Sequence, residues 1–143
     1  MTAHPAQIDV RAPRFAAAVT SAVLAVALLT GSGWLVAAQA LVFAVGALGG
    51  LRRSPYGLVF RSLVAPRLGP VREREPEAPP RFAQAVGLAF TVVGTAGYLL
   101  GVPALGAVAT GLALVAALLN AATGFCLGCE LYISLRRLLP RTA

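Results

Sequence analysis

From Phe15 to Leu51, and again from Phe82 to Cys129, the chain carries no charged side chain. As single helices these stretches would run about 55 Å and about 70 Å, against a bilayer hydrocarbon core of about 30 Å. Each must therefore fold back once. The breakers sit where a hairpin needs them, Gly31-Ser32-Gly33 in the first stretch and Gly101-Val102-Pro103 in the second. The expected spans are 15–30, 34–50, 82–100 and 104–123, the first extending toward Trp34, whose indole suits a membrane interface. Composition agrees, since 58% of residues are hydrophobic and only 12% charged. That leaves too little polar surface to coat a soluble globule, and too much Leu, Val and Ala for a disordered chain. Val36-Ala37-Ala38 resembles a signal-peptide cleavage site, but the apolar pattern resumes at once through Leu41, Val42 and Phe43, which excludes that reading.

All 12 basic residues are Arg, in three blocks outside the apolar stretches. They do not form a stripe with interleaved aromatics, so the net charge of +7 does not indicate nucleic acid. The amino-terminal segment, the central loop and the carboxyl-terminal tail hold 2, 7 and 3 Arg, and the hairpin turns hold none. The positive-inside rule then places both termini and the central loop in the cytoplasm, for a multi-pass protein of the inner membrane.

The chain also matches itself. Pro13-Arg14-Phe15-Ala16-Ala17-Ala18-Val19 parallels Pro80-Arg81-Phe82-Ala83-Gln84-Ala85-Val86 at an offset of 67, and Gly50 and Pro66-Arg67 parallel Gly124 and Pro140-Arg141 at an offset of 74. The expected fold is an all-α membrane protein of four transmembrane helices, built as two tandem parallel hairpin repeats, each followed by a short interfacial helix. Repeat one covers 13–67, a linker 68–79 and repeat two 80–141, within a single membrane domain, 1–143. In the first copy Ser54 caps and Pro55 opens the interfacial helix, with Tyr56, Val59, Phe60, Leu63 and Val64 on one face and Pro66 as its stop. In the second, Leu131, Leu135, Leu138 and Leu139 form the stripe and Pro140 the stop. The linker, with Glu73, Glu75, Glu77 and four prolines in reach, reads as solvated. Gln39, Gln84 and Asn120 read as interhelical hydrogen-bonding residues, and Gly46 with Gly50, and Gly97 with Gly101, as sites of close helix approach.

One motif carries chemistry. Both cysteines lie in Gly124-Phe125-Cys126-Leu127-Gly128-Cys129-Glu130, where the fourth span reaches the cytoplasmic interface. C-x-x-C places two sulfurs on one side of a helical turn, where they can close a small ring or share one reactive thiolate. If Gly124 breaks the span and a new helix begins near Cys126, the unpaired N–H groups there favour the thiolate; if the helix runs on unbroken, Cys126 is an ordinary small apolar residue. A structural disulfide does not suit a reducing face. A closed metal site needs about four ligands, and two Cys, a distant His4 and Glu130 do not supply them without a dimer. Inert packing thiols and thiol redox or sulfur transfer both stay open. At the offset of 74, Arg52 corresponds to Cys126 and Pro55 to Cys129, which makes Arg52 and Arg53 candidate partners for a thiolate or an anionic donor; the plainer reading anchors them at headgroups. No intramembrane charge, serine elbow or phosphate-binding glycine loop is present, so transporter, hydrolase and kinase readings lack their parts, and no cofactor is called for.

Pro13-Arg14-Phe15, Arg53-Ser54-Pro55-Tyr56-Gly57, Arg81-Phe82-Ala83-Gln84-Ala85-Val86-Gly87 and the run from Leu119 to Tyr132 together resemble a bacterial integral membrane family catalogued as domain of unknown function 4395. The resemblance covers nearly the whole chain. It implies, by association, a thiol or sulfur role for Cys126 and Cys129 beside a soluble thioredoxin-like or rhodanese-like protein, with Glu130 next to them. The alternative is a non-catalytic membrane scaffold or anchor, held in the lipid bilayer, whose cysteines pack.

Overall fold

The computed structural model describes residues 6–139, so His4, Pro140 and Arg141 lie outside the described residues. A strand β1 (Gln7–Asp9) leads into helix α1 (Arg11–Thr30), which turns back into α2 (Gly33–Gly49). A short stretch follows: α3 (Pro55–Val59), a π-helical turn over Phe60–Val64, and α4 (Ala65–Leu68). Strand β2 (Arg74–Pro76) precedes the second hairpin, α5 (Ala78–Leu99) and α6 (Pro103–Thr123), and α7 (Leu127–Leu138) ends the described chain. The chain is mostly helical. Helices α1, α5 and α6 are long and apolar enough to cross a membrane, and α2 is apolar but shorter, at 17 residues.

The bundle exposes many large apolar side chains and buries several polar ones beside an apolar core that includes Leu24, Val36 and Phe43. Leu29, Leu48, Leu100, Trp34 and Leu41 are exposed, while Thr20, Gln39, Thr91 and Thr110 are buried. Large apolar side chains on the outside of such helices are what a lipid environment accepts, and small or polar ones inside are what lets the helices meet there. Gln39 is the polar centre: its amide donates to Thr20 Oγ1 at 3.3 Å and its carbonyl accepts the Tyr56 hydroxyl at 2.6 Å, tying α3 to the bundle. Helix α2 packs on α5, α5 on α6, α6 on α1, and α7 on α5.

Two guanidiniums link the hairpins. Arg81, in the first turn of α5, donates to Ala47 O at 2.8 Å and Leu48 O at 3.1 Å, at the end of α2. Arg14, in the first turn of α1, donates to Ala121 O at 3.2 Å and Ala122 O at 3.4 Å, at the end of α6. Each thus satisfies carbonyls that a helix end leaves without partners, where a cation also meets the negative end of the dipole. Aromatic pairs follow the same pattern: Phe15 lies 5.8 Å from Phe60 and Phe82 lies 5.7 Å from Tyr132, both tilted.

Three expectations need correction. The chain is mostly helical, but 68–79 is not solvated throughout: β1 and β2 form a two-stranded antiparallel ribbon with Ile8 opposite Glu75, Glu77 N–H donates to Ala6 O at 2.9 Å, and the Glu77 carboxylate accepts Leu51 N–H at 2.7 Å. Strands of three residues are too short to show a period-2 pattern. Pro66 does not stop its helix. A π-helical turn, in which Ala65 N–H reaches back to Phe60 O, widens the backbone just before it, and Pro66 then sits in the first turn of α4, where its missing N–H costs nothing. Helices α1 and α5 also start four residues before the expected spans, because Asp9 receives the Arg11 N–H at 3.0 Å and Pro79 and Pro80 fit a first turn.

Helices α5 and α6 approach closely at Gly97, where an added Cβ would lie 2.8 Å from Gly106 Cα, whereas Gly111 has open space. Gly97→Ala is expected to destabilise the bundle by about 1–3 kcal/mol, and Gly111→Ala by no more than about 0.5 kcal/mol. Thermal unfolding in detergent distinguishes them; equal midpoints would contradict this packing.

Candidate functional site

The site is built by a helix that ends and another that begins. Gly124 closes α6 in the left-handed region, φ 78°, with its N–H on Asn120 O at 2.8 Å, a backbone that favours glycine. Thr123 Oγ1 then accepts Phe125 N–H at 3.2 Å, and the chain is extended at Cys126 before α7 starts. Cys126 is the N-cap: its Sγ accepts Cys129 N–H at 3.2 Å and its carbonyl accepts Glu130 N–H at 3.0 Å. Of the two alternatives the sequence left open, the broken helix is the one observed. The sulfurs of Cys126 and Cys129 are bonded, with Cα atoms 5.2 Å apart. The bond closes the small ring that the C-x-x-C spacing allows.

Gly128, inside the C-x-x-C, sets the start of α7 against α5, since an added Cβ would lie 2.6 Å from Ala83 Cα. Tyr132 continues the contact on Phe82, and Arg136 lies over the Tyr132 ring at 5.7 Å. The motif residues are therefore positioned by α5 as well as by α7.

Cys126 and Cys129 line a broad open cleft together with Arg14, Glu73, Glu75 and Glu130. Glu130 is exposed in the first turn of α7, where its charge complements the helix dipole. Three Arg side chains line this cleft, Arg14, Arg136 and Arg137, and Arg14 Cδ lies 3.7 Å from the position a Cβ on Gly124 would take. Arg52 and Arg53 do not line it: Arg52 donates to Gln7 O at 3.1 Å, and Arg53 packs beside Gly49. The offset of 74 holds for the glycine that ends each span but not for the N-cap positions, which are Ser54 in α3 and Cys126 in α7; the expected Ser54 cap is not made, since its side chain bonds no N–H of α3, whereas the Cys126 Sγ accepts one. Arg14 was visible only as part of the Pro-Arg-Phe repeat, and Glu75 only as one of three alternating glutamates. Among the described residues no group of three or more His, Cys, Asp or Glu could hold a metal ion.

Residues 8–137 match the family described as Domain of unknown function (DUF4395), and the chain belongs to that family. No curated protein and no solved structure matches it.

Burial, and then repulsion from Glu73, push the Glu75 carboxyl above its ordinary range. Its folded-state pKa exceeds the unfolded one, so its contribution is most favourable below the unfolded value and is lost as pH rises through the folded value. Glu75→Gln is therefore expected to increase amide-exchange protection of the ribbon near neutral pH and to match the wild type in acid. Lower protection in Glu75→Gln at neutral pH would contradict this.

Proposed function

We propose that this chain is a four-span inner-membrane protein whose Cys126–Cys129 pair cycles between disulfide and dithiol, exchanging electrons or sulfane sulfur with a soluble thioredoxin-like or rhodanese-like partner on the cytoplasmic face. One observation carries the reading. The only two sulfurs able to bond each other sit at the start of a helix, within bonding reach, with Cys126 Sγ accepting the Cys129 N–H and both lining an open cleft. On a reducing face such a pair is catalytic or redox-sensing. In electron exchange a partner thiolate attacks Cys129 Sγ, the Cys126–Cys129 bond breaks, and Cys126 leaves as a thiolate held by the Cys129 N–H. A second partner thiol then displaces Cys129, leaving both cysteines reduced and the partner oxidised.

The architecture in this proposal adds α2 to the three longer helices as the fourth span; 17 residues give about 26 Å, the short end of what crosses a bilayer. Two parallel repeats are supported by contacts that recur at corresponding positions: Arg14 on the end of α6 as Arg81 on the end of α2, and Phe15 on Phe60 as Phe82 on Tyr132. The orientation rests on the Arg distribution. Within it Arg14, Arg136 and Arg137 are the cations at the cleft for an anionic donor, and Arg52 and Arg53 anchor the second span at the headgroups.

The test is a mixed-disulfide trap in cells with Cys126→Ser and Cys129→Ser singly, the remaining cysteine being probed for a covalent partner on non-reducing gels and by mass spectrometry. A soluble protein with its own reactive cysteine is the expected adduct. No adduct from either variant would leave a membrane scaffold with packing cysteines.

A further inference from the structure

Behind the Cys126–Cys129 pair lies a second cavity, of about 310 Å³, bounded by α1, α2, α5, α6 and α7. Cys126 lines both this cavity and the open cleft, while Cys129 lines only the cleft. The walls are apolar, including Phe90, Leu112 and Ala116, and two side-chain amides reach it, Gln84 and Asn120. Unlike the amide of Gln39, which is paired on both sides, neither hydrogen-bonds another described residue. Both residues are half-buried, and a ligand carbonyl in the cavity would give each amide an acceptor.

We infer that this cavity binds the ring of a lipid-soluble quinone and that Cys126 is the sulfur facing it. The inference rests on the thiol-exchange reading above and supplies the oxidant that reading lacks. The chemistry of the walls selects the ligand: a planar apolar ring with two opposed carbonyl acceptors suits apolar faces with two N–H donors, and the volume, near the lower limit for ligand pockets, holds the ring and the first part of its tail. In the step, the two thiols lose two electrons and two protons, the S–S bond of Cys126 and Cys129 forms, and both quinone carbonyls become hydroxyls. The soluble partner is thus served at the cleft and the quinone at the cavity, on opposite sides of one sulfur pair.

The full chain in lipid nanodiscs is reduced, freed of reductant and mixed with ubiquinone bearing one isoprenoid unit, whose fully substituted ring resists arylation by thiols. Quinone absorbance and maleimide gel shifts are followed, with reoxidation by oxidised glutathione as reference. The wild type is expected to form one quinol per disulfide with a rate that saturates in quinone. The ratio of quinone-driven to glutathione-driven reoxidation should fall about tenfold in Gln84→Leu, the loss of one hydrogen bond, and further in Ala116→Trp, which fills the cavity. No quinol from a wild type that glutathione reoxidises, or unchanged ratios in both variants, would overturn the quinone site alone. A pair that neither a soluble dithiol opens nor oxidised glutathione re-forms would overturn the exchange reading instead.

Discussion

The carbonyls at the ends of α2 and α6 are the groups on which the arrangement depends. The last turn of a helix leaves its C=O groups without intrahelical partners. Here the partners are guanidiniums from the other hairpin, Arg81 on Ala47 and Leu48, Arg14 on Ala121 and Ala122. Each clamp satisfies the donor and the acceptor at once, and fixes where one hairpin stands against the other. It also fixes where α6 stops. Two residues beyond Ala122 the backbone turns at Gly124, and two further on Cys126 caps α7. The cysteine pair therefore hangs from the Arg14 clamp in the way that Ser54 and α3 follow the end of α2 beside Arg81.

Packing inside the bundle is consistent with that constraint. With large apolar groups turned outward, the helices are held by close approach at Gly97 and Gly106 and by the Thr20–Gln39–Tyr56 chain of hydrogen bonds. Gly128 and Ala83 bring α7 onto α5, and this leaves Cys126 between an open cleft and an apolar cavity. A sulfur pair in that position can meet a water-borne thiol on one side and a lipid-borne acceptor on the other.

The hairpins were legible in the sequence because charge is excluded from a bilayer over a fixed length, and the gaps from Phe15 to Leu51 and from Phe82 to Cys129 record that exclusion directly. The C-x-x-C and the helix start at Cys126 were legible because Gly124 breaks a helix at a place where two cysteines follow. The ribbon was not, since Gln7–Asp9 and Arg74–Pro76 pair across most of repeat one and neither has a pattern of its own. The helix beyond Pro66 was missed because a π-helical turn has no sequence signature. Arg14 was passed over in favour of Arg52 and Arg53 because self-alignment gives depth in the membrane, whereas the clamps cross from one hairpin to the other. A position aligned with the cysteines in sequence is thus not beside them.

The central claim is that Cys126 and Cys129 change oxidation state in the living membrane. Cells quenched in acid and treated with a high-mass maleimide report that state directly, since each free thiol adds a fixed shift on a gel. The account expects both disulfide and dithiol forms, with the disulfide returning after a pulse of membrane-permeant reductant is washed out. A pair found wholly as thiols before and after the pulse, in every growth condition tried, would contradict it.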